Sequence, residues 1–175
     1  AGGAAQLLYT VPTDKLLLPQ AAKTQELAAE ILNAAAEMET QVVYVTADQT
    51  AALGNGSLEI YAPVSAGEDN ESGLSVLASA ASFSGLVTGD MSAATERRLL
   101  RQHAIPMVDV LVAGHHGSNS ATCETLLQKV KPEMIWISVG ENNYGLPGTA
   151  ALERMQASGA EIFRTDLDGT LITGR

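Results

Sequence analysis

The chain is poor in cysteine, aromatic residues and positive charge. Cys123 is the one cysteine among 175 residues, which excludes an intrachain disulfide framework and a cysteine zinc knuckle. The redox compartment stays open, since a reducing cytosol and an exported protein without disulfides both fit. No run approaches the ~18 uninterrupted apolar residues that a membrane span needs, so the piece is expected to be soluble. The opening AGGAAQLLYT has no basic leader and no cleavage pattern, which argues against a signal peptide. Aromatic residues make up 4%, with Trp136 the sole tryptophan, so few faces are available to stack single-stranded bases. Ten basic residues stand against 20 acidic ones, a formal net charge of -10. Such a surface repels nucleic acid at long range, and binding it would require a local basic patch or a metal.

The residues present suit one globular domain: 46% are hydrophobic and 17% charged. Lys15–Leu18 reads as a short strand closed by Pro19. Leu27, Ile31, Leu32, Ala35 and Met38 recur at helical spacing, which predicts a helix over 24–39. Strands are predicted at 42–46, 57–61, 74–79 and 83–88, with a polar loop at 67–71. Ser92 is the expected N-cap of a helix reaching His103. From there the pattern alternates: strand 107–113, helix 120–130, strand 133–139 and helix 147–158 capped by Gly159. Two final strands, 161–164 and 170–173, are expected to meet across a turn at Asp168-Gly169. Strand–helix alternation with hairpins at either end indicates a layered α/β domain with a mixed sheet.

Reactive side chains gather just past three apolar strands, where open α/β sheets place their sites. The first segment, Leu86-Val87-Thr88-Gly89-Asp90, puts a carboxylate beyond a glycine. Alone it is ordinary turn or cap chemistry. The second is DVLVAGHHGS, with His115 and His116 adjacent after a buried strand and Ser118 close behind. Burying two imidazoles costs free energy unless both are hydrogen-bonded or ligated, so this pair is the stronger signal. The third, SVGENNYGLP, carries Asn142, Asn143 and Tyr144 in a glycine-bracketed loop. Arg97, Arg98 and Arg101 follow Asp90 on a helix and read either as a phosphate guide or as a solvated face. His103 reads as a solvated helix end.

As an ordered set, TGD, a helix bearing Glu96, GHHGS, ISVGENNYGLP and RTDLDG resemble the metallo-β-lactamase-like domain of the ComEC competence family, from about Asn70 to the end. The family pattern has GD, HHGS, S-x-G-x-N-x-Y-G-H-P and R-T-D-x-x-G motifs; its histidine before the proline is Leu146 here. The resemblance implies an αββα sandwich with mixed sheets. Residues 1–175 then form one domain lacking its N-terminal part, since the superfamily's H-x-H-x-D-H motif does not occur in this chain.

The resemblance further implies that Asp90 bridges two metal ions and that one histidine of the pair is a ligand; His115 is taken first because it lies nearer the strand end, and His116 second. Ser118, Asn142, Asn143, Tyr144 and Arg97 would contact substrate. It implies zinc or manganese in the full-length protein, a phosphodiester substrate in DNA, and attachment to a membrane-embedded uptake channel in a bacterial cell membrane. With about two motif ligands, the piece itself is expected to bind metal weakly or not at all and to be inactive. A truncated sheet edge would favour a homodimer. The alternatives are a stand-alone hydrolase of small phosphoesters or esters, and a non-catalytic binding module on the same fold, which Leu146 favours.

Overall fold

The computed structural model describes residues 3–65 and 69–172, the side chains of Leu27 and Asp69 excepted. Ala1-Gly2 lie outside the described residues, as do Gly67-Glu68 of the expected polar loop and Thr173–Arg175, where the last expected strand ends. The chain divides into two units, Ala1–Asp48 and Gln49–Arg175.

In the first unit, α1 (Ala4–Thr10) precedes β1 (Lys15–Pro19), α2 (Ala29–Glu37) and β2 (Gln41–Val45). The two strands pair in parallel, Lys15 opposite Gln41 through Pro19 opposite Val45. A helical crossover makes that sense of pairing accessible. Ala5 and Leu8 of α1 pack on Ile31, Ala34 and Ala35 of α2. Ala34 and Ala35 are fully buried. The helix stops where Glu39 turns left-handed at φ 55° and the Thr40 amide donates back to Ala35 O at 2.8 Å.

The second unit holds a seven-stranded sheet with its strands in chain order. These are β3 (Gln49–Leu53), β4 (Gly56–Tyr61), β5 (Ser75–Ala80), β6 (Phe83–Val87), β7 (Val110–Val112), β8 (Met134–Ile137) and β9 (Glu161–Arg164). The first four form an antiparallel meander. From β6 onward every pair is parallel. The change of sense follows from the connections. Tight turns at 54–55 and 81–82 reverse the chain, whereas α3 (Ala93–Gln102), α4 (Glu124–Val130) and α5 (Thr149–Ala157) carry it back over the sheet. Leu77, Leu86, Leu111 and Ile135 stand in register across four adjacent strands and are 0 or 1% exposed. Leu99, Leu126, Val130, Ala151 and Met155 from the three helices complete the core with them.

Three expectations are corrected. β3, which the sequence reading does not include, is exposed at all five positions and so has no hydrophobic alternation to betray it. The strand expected at 170–173 is not formed over its described residues. A single helical turn, α6 (Thr165–Asp168), follows β9 instead, and Asp168 Oδ2 accepts the Arg164 amide at 2.7 Å. Ser92 precedes α3 but caps it indirectly. Its hydroxyl donates to Glu71, whose carboxylate also accepts the Ser92 amide and the Thr95 hydroxyl. The helix thus borrows its N-terminal anion from a distant residue.

Candidate functional site

Parallel order from β6 to β9 brings the four motif loops to one rim of the sheet, the end at which parallel strands finish. After β6, Gly89 adopts φ +72°, a left-handed turn that suits a residue without Cβ, and Asp90 follows with its side chain exposed. The hydroxyl of the preceding Thr88 is buried with no hydrogen-bond partner among the described residues. After β7, Gly114–Gly117 forms a short turn in which His115 (φ 48°, ψ 48°) and His116 (φ 55°, ψ 30°) are both left-handed. Non-glycine residues hold that conformation only where their surroundings impose it. The two loops touch, because the His115 amide donates to Gly89 O at 3.2 Å.

The histidine rings diverge, with centroids 6.3 Å apart and planes at 68°. His115 is half-buried and His116 exposed. His116 Nδ1 lies 2.7 Å from Ser138 O at the tip of β8. A carbonyl oxygen only accepts, so Nδ1 is the donor, and in the neutral ring Nε2 is the nitrogen that keeps its lone pair. Ligand imidazoles have this arrangement, one nitrogen tethered and the other free. The tether singles out His116, whereas the sequence puts His115 first for its nearness to the strand end.

The β8 loop is built mainly for its own rigidity. Asn142 donates to Gly140 O and Leu146 O, both at 2.9 Å, and accepts from the Tyr144 and Leu146 amides at 3.0 and 3.1 Å. Its amide capacity is filled, so it braces the loop and has nothing left for a ligand. Tyr144 is 87% exposed. Asn143 is exposed, and Leu146 packs against the core. His116, Ser138, Glu141 and Tyr144 help to line a cavity of about 460 Å³. At the tip of β9, the Thr165 hydroxyl donates to Val139 O and accepts the Val139 amide, fixing the base of the same loop. Arg164 makes a two-point ion pair with Asp166, which raises the arginine and holds the carboxyl below its usual range. A larger cavity of about 770 Å³ opens between α4 and α5 and includes none of the candidate residues.

Ser118 pairs with Ser120, Oγ to Oγ at 3.0 Å, within the histidine loop. Arg97, Arg98 and Arg101 are exposed along α3, and Arg98 donates to Val64 O. His103 differs from the expected solvated end: its ring lies 4.7 Å from that of Tyr61 and is half-buried. Sequence reasoning gave no role to Glu96 or Arg154, which lie behind the histidine loop. Glu96 is wholly buried, and its carboxylate accepts the Thr122 and Cys123 amides, each at 2.7 Å. Burial pushes this carboxyl above its ordinary 4.5, against the pull of the two amides and Arg154. A detectable signal existed: Glu96 falls between Thr95 and Leu99 on the buried stripe of α3, where a charge is out of place.

The donor set decides what the site can hold. Among the described residues, no three His, Cys, Asp or Glu side chains gather to hold a metal ion. Catalytic zinc takes three protein ligands and structural zinc four. The residues present therefore do not by themselves fit a metal ion. Among the described residues, no helix is long and apolar enough to cross a membrane.

No family model matches the chain. It is 27% identical over 173 residues to ComE operon protein 3 of Bacillus subtilis (strain 168), covering 97% of this chain and 22% of that protein. Over 91 residues it is 40% identical to competence protein ComA of Neisseria gonorrhoeae, covering 51% of this chain and 13% of that protein. The chain is a distant homologue of these proteins and spans about a fifth or less of their length. CmlA, a diiron beta-hydroxylase from Streptomyces venezuelae, shares the fold with a TM-score of 0.53 at 14% identity, over 87% of this chain and 39% of that one. The expected α/β class with a mixed sheet holds for this chain.

Proposed function

We propose that residues 1–175 are a single metallo-β-lactamase-like domain of a DNA-uptake competence protein. In the full-length protein the domain serves hydrolysis of phosphodiesters in DNA. One observation carries the reading: the His115 amide donates to Gly89 O at 3.2 Å, joining the loop of Asp90 to the loop of both histidines. Distant homology to competence proteins over nearly the whole chain supports the biological setting.

On this reading Asp90 and His116, with His115 the second candidate, are part of a divalent-metal set for zinc or manganese. The other donors come from outside this chain, because no group of three forms among its described residues. The chain's own contribution is then positional: a carboxylate and an imidazole at adjacent strand tips, the latter with its Nε2 lone pair free. On the same reading Ser118, Asn143, Tyr144 and Arg97 contact the nucleic acid, with Asn142 bracing the loop that carries Tyr144. The net charge of -10 makes DNA capture by this domain alone unfavourable, so the membrane-embedded remainder of the uptake channel is its expected partner.

Two measurements test this. The 175-residue chain should bind zinc or manganese weakly and show no useful DNA cleavage; stoichiometric tight zinc, or robust manganese-dependent cleavage, refutes the need for further donors. The full-length protein should contain metal and cleave DNA, and Asp90→Ala should abolish both. Unchanged metal content and activity would refute the assignment of Asp90. Leu146, packed on the core where the family pattern has histidine, favours a second reading, a non-catalytic binding module. Full-length protein that holds metal but hydrolyses neither DNA nor small phosphoesters would decide for it.

A further inference from the structure

The wholly buried Glu96 has no part in the chemistry proposed above. A carboxylate in such a place is tolerable only when hydrogen-bonded, and its two oxygens take the amide protons of Thr122 and Cys123. Arg154 of α5 does the converse. Its Nε donates to Thr122 O at 2.9 Å, and its Nη2 donates to Ala121 O at 2.8 Å and Asn119 O at 3.3 Å. An anion therefore collects N–H groups, and a cation collects carbonyls, from the single stretch 119–123.

That stretch in turn holds the histidine loop. The Thr122 hydroxyl accepts the Gly114 amide at 2.9 Å. Gly114 sits so closely that a Cβ there would lie 3.2 Å from Glu96 Oε1 and 3.3 Å from Gly89 O. The next residue, His115, donates to Gly89 O. Thr122 is itself left-handed at φ 51°, like both histidines. Three non-glycine residues in that conformation need an enclosing framework to keep them there.

The geometry points to Glu96 and Arg154 as a pair of positioning residues that clamp the 119–123 stretch and thereby fix the histidine loop against the loop of Asp90. This rests on the site reading proposed above. The clamp acts through backbone groups and, among the described residues, makes no hydrogen bond to either histidine ring.

Amide hydrogen exchange on the 175-residue chain tests it, using Glu96→Gln, Arg154→Lys, Thr122→Val and Thr122→Ser. Glu96→Gln keeps the shape but puts an amide donor where one oxygen accepts. Arg154→Lys keeps the charge and loses the fork. Thr122→Val removes the hydroxyl alone, and Thr122→Ser restores it. In the first three variants the Gly114 and His115 amides should exchange about tenfold faster, while Leu111 and Ile135 keep their rates and Thr122→Ser stays near the parent. Unchanged exchange, or acceleration spread evenly over the sheet, overturns the clamp; if Glu96→Gln does not fold, Thr122→Val against Thr122→Ser decides. In the full-length protein the same three variants should weaken zinc or manganese binding about tenfold, with rescue by Thr122→Ser. Local loosening in variants whose full-length parent holds no metal leaves the clamp and removes the site reading. Metal held by the parent with exchange unchanged in the variants does the opposite.

Discussion

Two acidic side chains close to α3 respond to pH in opposite senses. Burial is the largest single influence on Glu71 and pushes it up, but the hydroxyls of Thr95 and Ser92, the Ser92 amide and the charge of Arg98 together hold it below its ordinary 4.5. A carboxyl lowered by folding stabilises the fold above its unfolded pKa and loses that contribution as pH falls through the folded one. Glu96 is raised, so its contribution is complete below the unfolded value and is lost as pH rises through the folded one. Glu71→Gln should cost about 1 kcal/mol at neutral pH through loss of the charged cap. Urea melts between about pH 3 and pH 7 should show the gap between variant and parent closing on the acid side. A gap independent of pH would mean that Glu71 acts by shape. The histidine pair shows what single residues hide. Adjacency and flanking glycines marked it in the sequence, but the left-handed backbone, the splay of the rings and the Ser138 tether depend on segments far along the chain.

Elements were legible where one face is buried and the other wet. The α2 spacing, the β4–β6 meander and the strand–helix alternation from α3 to β9 all follow from that asymmetry. Legibility failed where it is absent. β3 is exposed on both faces, and β7 keeps regular pairing over Val110–Val112 only, although the stretch from Met107 to Ala113 is apolar except for Asp109. Met107 is 67% exposed, and the amides of Val108 and Asp109 pair with Val130 and Ser84 outside the ladder. The segment after β9 misled because Thr170 and Leu171 look strand-like while Asp166 and Asp168 bend the chain back onto Arg164. Short as it is, β7 carries the centre of the core. Leu111→Ala should cost about 2–5 kcal/mol, read as a lowered denaturant midpoint. A loss below about 1 kcal/mol would show that the site can collapse around the gap.

For the molecule as a whole, the α/β fold class with its mixed sheet was the readable part. What sequence could not supply was the buried scaffold behind the rim, since its members are held by backbone amides and carbonyls that no side-chain pattern records. The sheet also ends at β3, which pairs with β4 along one edge, has no strand on its other edge among the described residues, and is exposed throughout. Free edges pair with other chains unless shielded, so the 175-residue chain should self-associate with rising concentration. Light scattering checks this; a clean monomer at high concentration would show the edge to be protected.

The reversal of strand sense at β6 also separates two ends of the second unit. Both meander turns, at 54–55 and 81–82, lie where β4 and β6 begin, while Asp90, the histidines and Tyr144 stand where parallel strands finish. A surface anchor or dye attached at Ser82 would therefore sit a full strand length from the candidate site, leaving that rim open to solution and its chemistry unobstructed.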